Sequence, residues 1–263
     1  MINSRQAAVI KKDIRSVTSN KSFMTGLIIL PVMFSVLLPA LFVLLLHFAP
    51  EQMDDIEMIL DMLPAGMVTD DLSRTFLIFM LDYVLPTFFI MIPILVSTIT
   101  AASSFVGEKE KRTLETLLYS PLSLAQIYQA KVWASFLLSM AFTLASFILM
   151  LIVVEGCLLL TSGSMILPGI SWLITLLVVS PTASLLAVAL IVIGSAKAKT
   201  IEEAQQRAAL VIIPIIVLLI SQFTGLMLIS ALLLLAVGVV LGVLSFLMMK
   251  RSMRNFTYEK LLK

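Results

Sequence analysis

The sequence predicts an all-α polytopic membrane protein with six transmembrane helices and both termini in the cytoplasm. Three observations carry this. The 263 residues are 60% apolar and only 13% charged, with a mean hydropathy of +1.10. A soluble domain averages about 25% charged residues and could not hide so much apolar surface from water. The apolar residues fall in runs long enough to cross a hydrocarbon core, which takes about 20 helical residues. The basic residues between those runs all but one lie on one side of the alternation they define.

Residues 1–22 are polar and basic, with Arg5, Lys11, Lys12, Arg15 and Lys21. Ile10, Ile14 and Val17 recur at helical spacing, as in an amphipathic helix on the inner membrane surface; a solvated tail is the alternative. The first span covers 23–48. It exceeds a signal-peptide core and no small-residue cleavage pattern follows it, so it reads as uncleaved. Pro31 and Pro39 interrupt it, which membrane helices tolerate when neighbours satisfy the freed carbonyls.

Residues 49–75 form an acidic outer loop holding Glu51, Asp54, Asp55, Glu57, Asp61, Asp70 and Asp71. Ile56, Ile59, Leu60 and Leu63 share one face of a short helix that Pro64 and Gly66 end. Two readings stay open, a surface helix on the outer leaflet and a gate or recognition lid. The second span covers 76–101, with Pro86 and Pro93; the third 132–154; the fourth 170–194, with Pro181.

The apolar stretch 208–249 is long enough for two crossings. Phe223-Thr224-Gly225 is its turn signal, which gives a short fifth span over 208–222 and a sixth over 226–249. Thr200 and Glu203 form a capping box before the fifth. The tail is 250–263. With this layout seventeen of eighteen basic residues fall on the cytoplasmic side and Arg74 alone outside, as the positive-inside rule requires. Gly238 and Gly242 form G-x-x-x-G in the sixth span, which permits close helix approach, within the protomer or at a dimer seam. Cys157 is the single cysteine, so no internal disulfide is possible.

The most informative stretch is 105–131, FVGEKEKRTLETLLYSPLSLAQIYQAK. Glu108 and Arg112 are an i, i+4 pair in the favourable order. Leu114, Leu117 and Leu118 make an apolar stripe, Ser120-Pro121 breaks the helix, and Ser123 with Gln126 caps the next. Spacing alone gives an interfacial loop helix joined stiffly to two spans. The residues go further. Phe105, Glu108-Lys109-Glu110, Thr113-Leu114-Glu115, Leu117-Leu118 and Ser120-Pro121 closely resemble the corresponding loop of ABC-2 type permeases, the membrane subunits of one class of ABC exporter. Lys11-Lys12-Asp13-Ile14-Arg15 before the first span resembles the same family, and the chain is similar to its compact members that export sodium, drugs or peptides.

The resemblance implies a coupling helix in 105–131 that receives force from a separate ABC ATPase. Two copies of that ATPase would carry ATP and Mg²⁺, and a second permease would complete a homo- or heterodimer. It implies ATPase contacts at Glu108, Lys109, Glu110, Arg112, Thr113 and Glu115, in the plasma membrane of a bacterium or archaeon. The chain carries no P-loop of its own: G-x-x-x-x-G-K-[ST] would need a glycine where Arg112 follows Gly107. No cofactor, metal or nucleic acid is expected on it.

Ionisable residues near spans are functional candidates, and Asp82, Glu155 and His47 fall at similar depth near the outer face. Together they would make a cation-release or substrate-contact site. In the alternative, His47 and Glu155 reach interfacial water and Asp82 caps a neighbouring helix. Rival functions remain a secondary transporter or channel, which would want paired intramembrane charges or inverted repeats, and a non-transporting immunity or sensor subunit. A zinc protease would need H-E-x-x-H, and the chain has one histidine.

Overall fold

The computed structural model describes residues 3–48, 72–111, 113, 120–161, 167–195, 198, 200–208, 210, 212–223 and 230–255. Among them every regular element is helical. α1 is Ser4–Thr18. α2 (Lys21–Val32), a π-helical turn (Met33–Leu37) and α3 (Leu38–Phe48) follow as one rod. α4 (Leu72–Phe79), a second π turn (Met80–Val84), α5 (Leu85–Phe89), α6 (Met91–Phe105) and the single turn α7 (Gly107–Glu110) form the next. α8 is the long helix Leu124–Thr161. α9 (Ile170–Ile174), a third π turn (Thr175–Val179) and α10 (Ser180–Ser195) make another rod. α11 (Ile201–Ala208), α12 (Ile212–Phe223) and α13 (Ala231–Asn255) complete the chain.

Five of these helices are long and apolar enough to cross a membrane: Lys21–Leu45, Arg74–Glu110, Leu124–Thr161, Ile170–Ser195 and Ala231–Met253. The expected fifth span corresponds to a shorter apolar helix, Ile212–Gln222. The helix around Leu114, Leu117 and Leu118, the acidic outer loop over 49–71 and the 223–225 turn beyond Phe223 lie outside the described residues.

The three π turns have one cause. Each ends two residues before a proline: Pro39, Pro86 and Pro181. A proline cannot donate to the carbonyl four residues back, and its ring collides with that carbonyl. Widening the turn relieves the collision, so the residue before each proline donates five residues back: Leu38 to Met33, Leu85 to Met80 and Ser180 to Thr175. Neighbouring helices then satisfy exposed carbonyls. Trp172 Nε1 donates to the Leu81 carbonyl at 2.8 Å, and Gln222 Nε2 to the Tyr83 carbonyl at 3.0 Å. Ser139 Oγ donates to the Pro93 carbonyl at 2.9 Å.

Trp172 also packs at 5.3 Å from Phe89 and 5.5 Å from Phe147 between ring centroids, so it pins the second π turn within an aromatic core. The opposite wall uses small residues. A side chain at Gly238 would meet Val178 Cγ1 at 2.9 Å, and one at Gly242 would meet Thr182 Cγ2 at 3.2 Å. The G-x-x-x-G of α13 is thus spent on contact with its own protomer. Because the register rises in both together, the rod 170–195 and α13 run parallel. Ser195 and Ala231 therefore lie toward opposite ends of the bundle.

Candidate functional site

One end of the bundle gathers four separate parts of the chain around buried charge. α1 carries Val9, Ile10, Ile14 and Val17 on one face, as its spacing predicts, but that face is buried on protein: Val9 and Ile10 pack with Leu122, Ile127, Ala130 and Ala134 at the start of α8. Gln6 Nε2 donates to the Gln126 carbonyl at 3.3 Å, and Arg5 to the Pro121 carbonyl at 3.4 Å. The expected capping box at the start of α8 is present. The Ser123 N–H donates to Gln126 Oε1 at 3.0 Å, and the Gln126 N–H to Ser123 Oγ at 3.3 Å.

Asp13 lies on the same buried face of α1 and meets the charges of the neighbouring helices. Lys131 Nζ is 2.8 Å from Glu108 Oε2 and 3.7 Å from Asp13 Oδ2. It also donates to the Ser104 carbonyl at 2.5 Å. Ser104 Oγ donates to Asp13 Oδ2 at 2.5 Å, and Lys12 Nζ to Glu108 Oε1 at 2.5 Å. The side chains of Lys131, Asp13 and Glu108 are 2%, 5% and 9% exposed, while Lys12 closes the group from outside at 54%. Two lysines face two carboxylates, so the node is neutral overall. Pairing of this kind offsets the cost of burying charge. Partial burial lowers the proton affinity of the Lys12 ammonium, but the hydrogen bond and charge of Glu108, with Asp13 behind, outweigh it and hold its pKa above the ordinary lysine value.

The node joins α1, the end of α6, α7 and the start of α8 into one body. Buried hydroxyls continue the contact upward. Ser97, Thr100 and Ser104 of α6 face the seam with Ser135, Ser139 and Thr143 of α8, all buried; these short side chains let the two helices approach closely. Small side chains also leave a pocket beside Asp13 lined by Thr100, Ser104 and Ser135.

The residues singled out by sequence separate here. Glu108, expected on the ATPase-facing surface, turns inward instead. Its helical turn directs the carboxylate between Lys12 and Lys131, and the expected partner Arg112 lies outside the described residues. Lys109 is half-exposed, and Glu110 and Thr113 are exposed. Glu110 Oε2 accepts from the Ile201 N–H at 3.2 Å. It thereby ties α7 to the start of α11, where Thr200 Oγ1 caps the Glu203 N–H at 3.2 Å. Glu115 lies outside the described residues.

At the opposite end, Asp82 Oδ1 accepts from the Gly169 N–H at 2.8 Å, at the start of the rod 170–195. The carboxylate there opposes a helix N-terminus, where negative charge is favoured. Both carboxylate oxygens of Glu155 are buried without a hydrogen-bond partner among the described residues. His47 sits in the last turn of α3, with its side chain outside the described residues. Among the described residues no hydrogen bond joins Asp82 to Glu155.

Sequence reasoning missed Lys12, Asp13, Ser104 and Lys131. A signal existed: Asp13 shares the helical face of Ile10 and Val17, and an acid on the apolar face of an amphipathic helix needs a buried cation.

Residues 62–202, more than half of the chain, match the family model described as ABC-2 family transporter protein. No curated protein and no solved structure matches. The matched region contains the second, third and fourth long helices and the segment that supplies Glu108 and Lys131, and the chain belongs to the ABC-2 family of transporter proteins.

Proposed function

We propose that this multi-pass membrane permease is the membrane-spanning subunit of an ATP-driven exporter, worked by a separate ABC ATPase bound at the end that carries the charged node. In this reading two ATPase copies hold ATP and Mg²⁺. The permease pairs with a second permease, and both termini lie in the cytoplasm of a bacterial or archaeal cell. The exported cargo is an ion, drug or peptide. Six crossings are supported by the parallel course of the rod 170–195 and α13: the intervening chain must recross the bundle, and α12 is the apolar helix available to do so. Gln222, at the end of α12, reaches Tyr83 near the far end. The cytoplasmic assignment of the node is supported by the basic residues on the segments that meet there.

The observation that carries the coupling role is the node itself. A push on 107–113 cannot move α7 alone, because Glu108 is ion-paired to α1 and α8 while Glu110 holds α11. Lys109, Glu110 and Thr113, with Arg112 and Glu115 beyond, are the ATPase contacts in this proposal. Glu108 transmits the push inward rather than touching the partner.

The test is co-purification with the ATPase. Charge reversal at Lys109 and Glu110 should abolish ATPase capture from a folded permease. Glu108→Gln with Lys131→Met should retain capture but lower cargo-stimulated ATP hydrolysis. A permease that purifies alone and transports in vesicles without ATP would overturn the proposal in favour of a secondary transporter.

A further inference from the structure

Beside the node, on the side of α8 away from α1, a cleft of about 230 Å³ lies between three helices. Val132, Trp133 and Phe136 of α8 form one wall, with Leu185 of α10 and Met249 of α13 opposite. Trp133 is 44% exposed, so the cleft opens sideways from the bundle. Its two aromatic rings meet edge to face at 5.7 Å. Tyr128 Oη donates to the Met249 carbonyl at 3.5 Å and closes the base.

Two features set this surface apart from the rest of the apolar exterior. Elsewhere α2, α3 and α13 present rows of exposed Leu, Ile and Val, which any acyl chain can cover. Here the surface is concave and aromatic. Its base also coincides with a change of polarity. Exposed Gln129 lies at the mouth beside Tyr128, and α13 passes directly from Met249 to exposed Lys250 and Arg251. Trp and Tyr beside basic residues mark the headgroup level of a membrane, and basic pockets between membrane helices hold anionic headgroups. From Gln129 to Phe136 the helix rises about 10 Å, enough for the upper half of one acyl chain.

We propose that this cleft is a binding site for an anionic phospholipid, with one acyl chain between Trp133, Phe136 and Leu185 and the phosphate at Lys250, Arg251 and Gln129. The basic residues that follow Met249 on α13 argue for a lipid rather than a second copy of this chain, because a two-fold contact there would set Lys250 and Arg251 against their own counterparts. A bound lipid here would bridge α8, which carries Lys131, to the ends of α10 and α13, and so extend the rigid body built by the node. The site rests on membrane embedding alone and does not depend on the ATP-driven reading.

Intrinsic fluorescence tests it, because the chain has two tryptophans and Trp172 is buried at 1% exposure. The full-length permease is placed in phosphatidylcholine vesicles with increasing dibrominated phosphatidylglycerol or dibrominated phosphatidylcholine, and Trp133→Phe supplies the background. Quenching of Trp133 should reach its midpoint at a mole fraction of the glycerol lipid about 5- to 30-fold lower, the factor that one or two basic residues supply at a lipid surface. Lys250→Gln with Arg251→Gln should remove that preference and leave Trp172 emission unchanged. Leu185→Phe, which narrows the slot, should do the same with both basic residues present. Equal quenching by the two lipids in the native chain would overturn the proposal. So would a preference that survives both sets of substitutions, or protection of Trp133 from either lipid, which would mean that protein covers the cleft.

Discussion

Replacing Lys131 by Met removes the central cation of the node while keeping side-chain volume. The ammonium lies 2.8 Å from one Glu108 oxygen, a pair attraction of about 6 kcal/mol at an effective dielectric constant of about 20. The Asp13 carboxylate at 3.7 Å adds about 4.5 kcal/mol on the same scale. Desolvation of the three charges offsets most of this attraction, and breaking a buried pair by removing one partner costs about 3–5 kcal/mol. The loss exceeds that of an ordinary ion pair because two carboxylates remain buried, with only half-exposed Lys12 between them. For a chain of this size the penalty corresponds to a fall in Tm of about 6–20 °C. Thermal unfolding of the purified permease, followed by size-exclusion of detergent-solubilised protein, reads it directly. Adding Glu108→Gln to Lys131→Met removes one of the two stranded charges and should restore about half of the lost Tm, since neutralising both partners costs less than breaking one. A Lys131→Met variant that melts within about 2 °C of the native chain, the shift of a surface substitution, would refute the node. Strictly additive effects of the two substitutions would refute the pairing.

Three further outcomes follow from named contacts. A methyl group at Gly169 would sit 2.7 Å from Asp82 Oδ2, so Gly169→Ala should destabilise by about 1–3 kcal/mol; Asp82→Ala should rescue it in a double-variant melt, because the carboxylate rather than the backbone is the obstacle. Glu155 has two buried oxygens with no hydrogen-bond partner among the described residues, whereas Asp82 serves a helix start. Glu155→Gln should therefore reduce vesicle transport without changing Tm, and Asp82→Asn should lower Tm while retaining transport per folded molecule; the opposite pattern would reverse the assignment. Lys12 has its pKa raised in the folded chain, so its contribution to α1 docking is complete below the ordinary lysine pKa and is lost only as pH rises through the raised value. Hydrogen exchange of α1 should be insensitive to this group through neutral and mildly alkaline pH, once corrected for intrinsic rates, and should accelerate above the lysine range. Loosening near neutrality would contradict it.

The helical, membrane-crossing character and the family were legible in the chain itself, because they follow from local patterns: apolar runs of crossing length, basic residues on alternate connections, and the order of side chains over 105–131. Local chemistry also sufficed for the Ser123–Gln126 cap and for the shared helical face of Ile10, Ile14 and Val17, but not for the protein surface that covers it. Prolines 39, 86 and 181 were visible as interruptions, but the wide turns before them depend on how a whole helix relieves one collision. The partners of Glu108 could not be read locally at all. Spacing favoured Arg112, four residues along the sequence, while the carboxylate pairs with Lys12 and Lys131 from two other helices. Sequence periodicity reports which residues share a face of one element. Only packing decides which faces meet, and a buried charge takes its partner from whichever helix packing brings within about 3 Å.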